Sequence, residues 1–398
     1  MRRSRGVLFR SRRVMGVVLA AVVVSGTASL TSGASTTQPR VVRTVTYSKI
    51  VNIPAPPASN FAGASGGGDG WGLALSATKL YNVFHHDSIL QVNCHLQSTA
   101  AACWSSPKTI TDGSGHNFAS SAQPGLWLNQ ATRHLYVFAT RTSDATAGVV
   151  CIDTTKSPSV ADPFCGFTRL SAVGKAPLAG SISAISDPVV VGTSWYAFSF
   201  VNGSSSTGTR NKLLCFSLTT FKPCGKQPFG VSLGGTDVSG SFPSPSIAAI
   251  GTSIVVPIDV SGASGTVYKL LCISASTHAR CTGSWPVHLG FSYPSNDGAP
   301  FPLKSKTGAN TGLCLPTGTD QCYSLAGASV STPSGLSSAV TATVGWNGPA
   351  VSIGPRVFVP NGNSDAVDCY DYATKAACTH FPKPLSNLGL LYTVNPDP

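Results

Sequence analysis

One cysteine-containing pattern recurs along this chain of 398 residues and limits its fold more than any other feature. Its clearest copy is Lys269–Pro286, in which an apolar run ends at Cys272, a polar turn follows, and Cys281 opens a return strand. Three more copies have the same eight residues between their cysteines, and two have seven or thirteen. The six local pairs are Cys94/Cys103, Cys151/Cys165, Cys215/Cys224, Cys272/Cys281, Cys314/Cys322 and Cys369/Cys378. A pattern repeated along the chain predicts an array of similar units.

Each copy is predicted to be a β-hairpin at the edge of a sheet. The turn-forming residues two positions after the first cysteine are Asp153, Ser217, Ser274 and Asp371. Five positions after it stands Thr in every copy except the second, which has Lys156. Asp, Ser and Thr side chains in turns bond to the backbone just ahead of them. The prolines that follow the second cysteine are Pro107, Pro228, Pro286 and Pro382. Proline suits an outermost strand because it has no N–H to donate.

Disulfide bonding is the preferred role of these cysteines. Residues that face each other across an antiparallel pair at a non-hydrogen-bonded position lie about 4.5 Å apart at Cα, which a disulfide tolerates. Metal binding is the alternative, but the chain has no C-x-x-C motif and no histidine at ligand spacing beside each pair. We therefore predict six local disulfides and no cofactor. Each disulfide should add about 2–3 kcal/mol of stability, and together they indicate an oxidising compartment.

The first residues have the form of a secretory signal peptide, which we place at residues 1–34. A basic segment that ends at Arg13 precedes an apolar run, Val14–Val24, and cleavage is expected after Ala28 or Ala34. The run is shorter than the roughly 20 residues that span a membrane, although retention as an uncleaved anchor is an alternative. The arginine pair that ends the basic segment also resembles a twin-arginine signal, so the export route stays open. The prediction is an extracellular protein, free or associated with the cell wall, with no stable membrane span after processing.

Charge and composition exclude some classes of protein. Six of the 27 Lys and Arg residues lie in the leader, which leaves 21 basic against 15 acidic residues, scattered singly. Nucleic-acid recognition needs a clustered basic face, so no nucleic-acid partner is expected. All fifteen acidic residues are Asp, and 41 Gly and 28 Pro accompany short β-branched runs. This composition is typical of many strands joined by turns rather than of helices.

Six repeat units are predicted, each a sheet of four strands. The cysteine hairpin supplies the third and fourth strands, and an apolar strand after a small residue or proline opens each unit. The predicted opening strands are Trp71–Leu75, Pro124–Leu128, Pro188–Val191, Pro245–Ile250, Pro300–Leu303 and Pro349–Ile353. Second strands are expected at Leu135–Ala139, Trp195–Phe200, Ile254–Ile258 and Val357–Val359. Four strands per unit at this repeat length predict an all-β fold of the β-propeller type.

The fifth unit departs from the plan. Cys314 follows its opening strand so closely that the Cys314/Cys322 pair is predicted to join the second and third strands. The fourth strand of this unit is then expected at Ala339–Val344.

The two ends of the chain predict how the array closes. Residues 35–65 contain a candidate strand, Val41–Ile53, and a linker rich in Pro, Ser and Gly, whereas residues 66–398 form the propeller. A seventh opening strand, Leu388–Val394, would expose an unpaired edge unless Val41–Ile53 pairs with it. About seven blades, the last incomplete or shared between the termini, is therefore preferred. Six blades with a surplus tail and an open, truncated array are the alternatives.

The cysteine-containing repeat also resembles a repeat of known proteins. Its plan, apolar–Cys–x–Asp–x–x–Thr–x–x–x–Cys, is complete in the copy with Cys369, Asp371, Thr374 and Cys378. This plan is similar to the quinoprotein-type propeller repeat. From Gly66 onward the chain resembles a group of secreted bacterial β-propeller proteins with paired cysteines in each blade. The resemblance implies the propeller fold with a disulfide-clipped hairpin in each blade, and it implies the fold more than an activity.

Histidines form the densest ionisable group. His85 and His86 are adjacent, and His95 and His116 follow downstream. Neighbours in a strand point to opposite faces of the sheet, so His85 and His86 cannot both be ligands in one simple site. A structural or surface role is the alternative to metal or acid–base chemistry.

Two groups of oxygen-bearing side chains are further candidates. Asn361, Asn363, Asp365 and Asp368 are spaced along a loop as a calcium site would require, and a plain Asn-Gly turn is the other interpretation. The second group, Asp69, Asp187 and Asp297, falls just before or within opening strands, near the mouth of a propeller channel. Glycoside hydrolysis needs two carboxylates at a set separation, but Asp at such positions also caps turns.

Two classes of function stay open, because a fold alone does not choose between them. The first is a monomeric, non-catalytic binding or scaffold module whose loops bind an extracellular protein or a cell-wall polysaccharide. The second is an extracellular propeller enzyme that hydrolyses glycans or lactones. The residues to test for catalysis are Asp69, His85, His86, Asp187 and Asp297.

Overall fold

Short antiparallel strands make up most of the structure. The computed structural model describes residues 49–52, 72–76, 78–86, 89–96, 99, 101–119, 126–144, 146–156, 159–170, 186, 188–199, 212–230, 239–241, 247–262, 265–290, 300–316, 321–341, 350–361, 364, 366–384 and 392–395. These residues contain thirty strands and one short helix, α1 (Leu336–Ala339). Within this part of the chain, no helix has the length and apolar character needed to cross a membrane.

Within the described residues, six antiparallel meanders follow one another along the chain, two with four strands and four with five. In each five-stranded sheet, two short strands pair with the same neighbouring strand. After β1 (Lys49–Asn52), sheet 1 contains β2 (Gly72–Leu75), β3 (Lys79–His86), β4 (Ile89–Leu96) and β5 (Lys108–Thr109). Sheet 2 contains β6 (Phe118–Ala119), β7 (Leu126–Asn129), β8 (His134–Arg141), β9 (Thr146–Asp153) and β10 (Phe164–Arg169). Sheet 3 contains β11 (Val189–Val191), β12 (Ser194–Ser199), β13 (Lys212–Ser217), β14 (Lys222–Pro223) and β15 (Phe229–Gly230).

The other three sheets repeat this order. Sheet 4 contains β16 (Ser239–Ser241), β17 (Ala248–Ile250), β18 (Ser253–Gly262), β19 (Gly265–Ser274) and β20 (Val287–Leu289). Sheet 5 contains β21 (Phe301–Lys304), β22 (Asn310–Leu315), β23 (Gln321–Ser324) and β24 (Ser329–Val330). Sheet 6 contains β25 (Val351–Ile353), β26 (Arg356–Asn361), β27 (Ala366–Asp371), β28 (Ala376–Ala377) and β29 (Lys383–Pro384). The opening and second strands therefore lie where the sequence predicts them, within a few residues at each end.

The cysteines pair as predicted, in six local pairs with Cα–Cα distances from 4.1 to 5.4 Å. In four pairs the N–H of the second cysteine donates to the C=O of the first: Cys103 to Cys94, Cys224 to Cys215, Cys281 to Cys272 and Cys378 to Cys369. The predicted turn contacts also form, because Asp153 accepts from the N–H of Thr155 (2.9 Å) and Asp371 from that of Ala373 (2.8 Å). The hairpins are thus fixed by both covalent and hydrogen bonds.

The return arm of the hairpin is less regular than predicted. In sheets 3 and 6 it consists of two short segments, β14 with β15 and β28 with β29, instead of one strand opened by the second cysteine. Pro228 and Pro382 lie in the gaps between these segments. A proline cannot donate to the ladder, which accounts for the interruption.

A repeated cross-strand pair stands opposite the first cysteine. Its partner on the second strand is a Tyr in sheets 1, 2 and 3, Val in sheet 4 and Phe in sheet 6: Tyr81, Tyr136, Tyr196, Val255 and Phe358. An aromatic or β-branched side chain therefore lies opposite the first cysteine in each of these sheets, and such cross-strand pairs stabilise a sheet.

Five apolar layers fill the spaces between successive sheets. On β8, for example, Leu135 and Val137 pack toward sheet 1, whereas Tyr136 and Phe138 pack toward sheet 3. The remaining layers join sheets 3 and 4, 4 and 5, and 5 and 6. First strands of neighbouring sheets also lie beside each other, as β2 does with β7 and β17 with β21. Successive antiparallel sheets packed face to face around their first strands form a β-propeller.

The fifth sheet confirms one expectation and corrects another. Cys314 lies directly opposite Cys322, so this pair joins the second and third strands as predicted. The fourth strand is β24, however, and not Ala339–Val344. Ala339 ends α1, and Leu336, Ala339 and Val340 pack together against sheet 6. Apolar residues three and four apart fit one face of a helical turn, so the start of the predicted strand belongs to a turn of helix. Residues 342–344 lie outside the described residues.

The two ends of the chain meet in a two-stranded sheet. β1 pairs antiparallel with β30 (Tyr392–Asn395), with Lys49 opposite Asn395 and Asn52 opposite Tyr392. The predicted pairing of the terminal segments is therefore present, and the other residues of Val41–Ile53 and Leu388–Val394 lie outside the described residues. The count of seven blades stays a prediction.

Removal of the N-terminal strand should destabilise the protein. A chain that begins at residue 54 lacks four cross-strand pairs with β30, each worth about 0.2–1 kcal/mol, and exposes a strand edge that favours association. Its thermal midpoint should be lower than that of a chain that begins at residue 35. The matched control begins at residue 49 and keeps β1. Equal melting and a monomeric state for the 54–398 chain would contradict the closure.

His278 should make stability depend on pH. It lies in the turn of sheet 4 and stacks on Phe229 of sheet 3, with ring centroids 3.5 Å apart, and burial lowers its pKa from the ordinary 6.5. The unfolded chain then binds more protons, so this contribution is complete above pH 6.5 and is lost as the pH falls below it. Denaturant unfolding from pH 8 to 5 should show less of this loss in His278→Phe. Phe221 occupies the equivalent turn position at a similar φ (53° against 56°), so the variant suits the backbone. Identical pH profiles would contradict the assignment.

Candidate functional site

The two ends of each sheet carry different structures. We call the end at which the third strand stops the clip end; it contains Leu96, Asp153, Ser217, Ser274, Ser324 and Asp371. We call the opposite end, at which the third strand starts, the loop end; it contains Ile89, Thr146, Lys212, Gly265, Gln321 and Ala366. Five of the cystines are at the clip end, and Cys314–Cys322 is at the loop end. In an antiparallel meander, connections from one sheet to the next also enter at the loop end.

The structure locates only some of the predicted site residues. His85 and His86 are the last two residues of β3 and therefore belong to the loop end of sheet 1. The candidates that lie outside the described residues are Asp69, Asp187, Asp297, Asn363 and Asp365. A role for any of these residues in catalysis or calcium binding stays a prediction.

A compact polar loop, Thr111–Asn117, lies between sheets 1 and 2. Its ends form a backbone bridge, and Asp112 organises its interior. The Asp112 Oδ1 atom accepts from the N–H groups of Ser114 and His116, both at 3.0 Å, and Oδ2 lies 2.7 Å from Nδ1 of His116. Gly113 and Gly115 have φ of 73° and 85°, a region that favours glycine. We call this segment the Asp112 loop.

Arg141 fixes the Asp112 loop to sheet 2. Its Nε and Nη2 atoms donate to the two oxygens of Asp144 at 3.1 and 2.6 Å, and Nη1 lies 3.7 Å from Asp112 Oδ2. The guanidinium also lies over the ring of Phe167, 5.4 Å from its centroid. A planar guanidinium suits both a bidentate carboxylate contact and an aromatic face, so Arg141 joins the loop, the strand and the neighbouring arm.

Both carboxylates of this cluster are held in the ionised form. Burial acts to raise the pKa of Asp112, but the hydrogen bonds from the His116 ring and from the N–H groups of His116 and Ser114 outweigh it, so the pKa lies below its ordinary value. For Asp144 the hydrogen bond from Arg141 dominates and holds the pKa far below the usual range. The two carboxylates and Arg141 thus stay charged at neutral pH, and His116 lies beside them.

The Asp112 loop belongs to the same end of sheet 1 as the histidines predicted from the sequence. The N–H of Ile110, just before the loop, donates to the C=O of Leu90 at 2.9 Å. Leu90 is the cross-strand partner of His85. The last residues of β3 and the Asp112 loop therefore lie at the same end of sheet 1.

Of the predicted calcium ligands, Asn361 and Asp368 are brought together. Asn361 Nδ2 donates to Asp368 Oδ2 at 3.0 Å, and the N–H of Thr341 donates to the same oxygen at 2.9 Å. Burial raises the pKa of Asp368, and these hydrogen bonds offset part of the rise. Asp368 is only 2% exposed. Its Oδ2 atom joins Asn361 of sheet 6 to Thr341 in the segment after α1.

Chemically, the Asp112 loop offers one group to a ligand. The Asp112 side chain is 10% exposed, and the His116 side chain is 47% exposed. Nδ1 of His116 is engaged by Asp112, so Nε2 is the atom left for a proton, a hydrogen bond or a ligand. Sequence analysis named His116 only as part of a histidine group and did not identify Asp112, Arg141 or Asp144. The D-G-S-G-H segment was the available signal, since Asp two residues before a backbone N–H forms such turns.

Comparison with known proteins gives a fold-level likeness. No protein-family model matches the chain, and no curated protein matches it. One similar solved structure is a protein from Bacteroides uniformis assigned as a 6-phosphogluconolactonase, with a TM-score of 0.43, 12% identity, and coverage of 81% of this chain and 87% of that one. Another is the Dos1 propeller, with a TM-score of 0.38, 10% identity, and coverage of 88% and 75%. A third is the β-propeller domain of the Trilobed protease from Pyrococcus furiosus, with a TM-score of 0.38, 9% identity, and coverage of 79% and 84%.

The structural similarity to these proteins is low. The fold is therefore defined by the chain's own sheets and apolar layers. The chain is an all-β protein of the β-propeller class.

Proposed function

We propose that this chain is a secreted, non-catalytic binding module that uses the loop end of a disulfide-clipped propeller. The observation that carries the proposal is the separation of the two ends. Five cystines and the hydrogen-bonded turns fix the clip end, whereas the strands at the opposite end lead into the longer connections. Binding residues are commonly found on loops that a rigid scaffold positions.

The Asp112 loop supports this proposal because it is organised before any ligand arrives. Hydrogen bonds from Ser114 and His116 to Asp112, and the contact with Arg141, fix its backbone. A preorganised loop loses less conformational freedom on binding than a mobile one. Its exposed imidazole and nearby carboxylates suit a hydroxyl-rich ligand. We therefore favour a polysaccharide of the cell wall, and an extracellular protein is the alternative partner.

The test uses the mature chain, residues 35–398, immobilised and exposed to purified cell-wall polysaccharide. Asp112→Asn combined with His116→Ala should weaken binding roughly tenfold, which corresponds to the loss of about 1.4 kcal/mol. Lys222→Ala is the matched control, because Lys222 is an exposed charge in the return arm of sheet 3. Equal weakening by both changes, or no weakening by the loop variant, would contradict a site at the Asp112 loop.

An extracellular hydrolase acting on glycans or lactones is the second candidate. The observation that favours it is the contact between Asp112 and His116, since a histidine oriented by a carboxylate can act as a general base through its other nitrogen. In that case the wild type should release new reducing ends or open lactones, and His116→Ala should abolish the release. Binding without product formation favours the module.

A further inference from the structure

The cystine of sheet 2 differs from the other five. All twelve cysteines lie in the described part of the chain, and Cys165 alone among them is exposed. A register shift takes Cys165 out of the strand pairing, so that Phe164 lies opposite Ile152 and Gly166 lies opposite Cys151. Such bulges redirect a side chain. Here the bulge leaves Cys165 at an exposed position.

A histidine stands beside this cystine. One ligand atom from each of His134, Cys151 and Cys165 lies within 4.8 Å of the other two. His134 is two residues before Tyr136, the cross-strand partner of Cys151, and therefore lies on the same face of β8. The three side chains come from β8, β9 and β10, so the arrangement is set by the sheet and not by a single loop.

Equivalent positions in the other sheets carry no second ligand of this kind. Two residues before the residue opposite the first cysteine stand Lys79, Ser194, Ser253 and Arg356 in sheets 1, 3, 4 and 6. In sheet 4 this position indeed contacts the cystine, because Ser253 Oγ lies 3.7 Å from Cys281 Sγ. Sheet 2 is thus the unit in which the position beside the cystine is a histidine.

A second departure in the same unit places a cation near the cystine. Lys156 replaces the threonine of the other copies, and its Nζ atom donates to the C=O of Phe164 at 3.0 Å, next to Cys165. A nearby cation stabilises a thiolate and so favours opening of a disulfide. The exposed Cys165, the histidine and the lysine all belong to the one unit with the longer cysteine spacing.

We propose that Cys151–Cys165 is a reducible disulfide and that its reduction creates a His134–Cys151–Cys165 site for a thiophilic metal ion of the zinc class. Zn²⁺ takes tetrahedral N and S ligands, and the ligand atoms of such a site lie about 3.5–3.8 Å apart. The two sulfurs must separate from about 2.0 Å to that distance, which a side-chain rotation can provide. The fourth position is open to water or an external ligand.

The reduction needs an external dithiol. One thiolate of the dithiol attacks Sγ of Cys165, which is the more exposed of the two residues. The S–S bond breaks, and Cys151 leaves as a thiolate. The second thiol of the dithiol then attacks the mixed disulfide, which releases Cys165 as a thiolate and leaves the dithiol as a cyclic disulfide. Two electrons pass from the dithiol to the protein, and its two protons go to the solvent or to the new thiolates. Metal binding then displaces any protons that the cysteines hold.

The experiment uses the mature chain and limiting dithiothreitol, followed by alkylation and peptide mass mapping. Cys151 and Cys165 should be alkylated before any other pair. After removal of the dithiol, Cd²⁺ titration should give one equivalent of thiolate-to-metal absorption in the ultraviolet. Native mass spectrometry with Zn²⁺ should show one bound ion.

Matched variants separate the metal site from a merely labile disulfide. His134→Ala should weaken Cd²⁺ binding roughly tenfold or more, since loss of even an outer-shell partner costs 10–100-fold, whereas His288→Ala at an exposed position of β20 should have no effect. Cys151→Ala with Cys165→Ala should abolish binding. Earlier opening of another cystine, equal Cd²⁺ affinity in His134→Ala, or loss of near-ultraviolet circular dichroism when this pair alone is reduced would each overturn the proposal.

Discussion

Replacement of Trp195 by alanine should lower the free energy of unfolding by about 3–5 kcal/mol, the cost typical of a large aromatic side chain removed from a core. Trp195 is 2% exposed and lies in the apolar layer between sheets 2 and 3. Its ring meets Phe138 of sheet 2 edge to face, with centroids 4.6 Å apart. The loss of stability therefore has two sources, the cavity that the substitution leaves and the lost contacts between sheets 2 and 3. Chemical denaturation at constant pH measures it.

The control for this change is the cross-strand neighbour of Trp195. Val190 pairs with Trp195 in sheet 3 but is 37% exposed, so Val190→Ala should change stability by no more than about 0.5 kcal/mol. If both variants unfolded at the same denaturant concentration, the layer between the sheets would not be a main source of stability.

Removal of the cystine of sheet 6 should have the second large effect. Cys369→Ala with Cys378→Ala releases a closed loop of about ten residues, which the chain-entropy account values at about 2–3 kcal/mol. Cys369 is fully buried, and its hairpin also contains the hydrogen bond from the N–H of Cys378 to the C=O of Cys369. The loss of stability should appear as a lower thermal midpoint in oxidising buffer.

Val351→Ala, at an exposed site in the first strand of sheet 6, is the control for the cystine. It should leave the midpoint nearly unchanged. In a reducing buffer strong enough to open all six cystines, the double variant and the wild type should instead differ little. A double variant as stable as the wild type in oxidising buffer would show that the clip contributes nothing to the fold.

Spacing of cysteines, turn residues and prolines is local information, and it predicted the six local pairs and most of the strands. The contact of His278 with Phe229 depends instead on how sheet 4 packs on sheet 3, which spacing does not contain. The same limit applies to the fifth sheet. There the order of elements predicted a fourth strand at Ala339–Val344, but Leu336 and Ala339 are buried as part of a helical turn. Tertiary packing overrides local pattern in such short segments.

The candidate site was harder to predict than the fold. Asp112 and Arg141 are separated by much of sheet 2 in sequence and meet because β6 pairs Phe118 with Arg141. His134 and Cys165 likewise meet only across three strands. The sequence showed that Lys156 and the longer spacing between its cysteines distinguish the second unit from the others. It could not indicate the consequence, since no local rule places a histidine from β8 beside a cystine of β9 and β10.

Peptide mapping of the non-reduced protein tests the central claim most directly. The account predicts six disulfide-linked peptides or hairpins, each confined to one sheet, with Cys94–Cys103, Cys151–Cys165, Cys215–Cys224, Cys272–Cys281, Cys314–Cys322 and Cys369–Cys378 as the links. Two or more links between different sheets would contradict it, because cysteines held within separate blades cannot reach one another without rearrangement of the sheets.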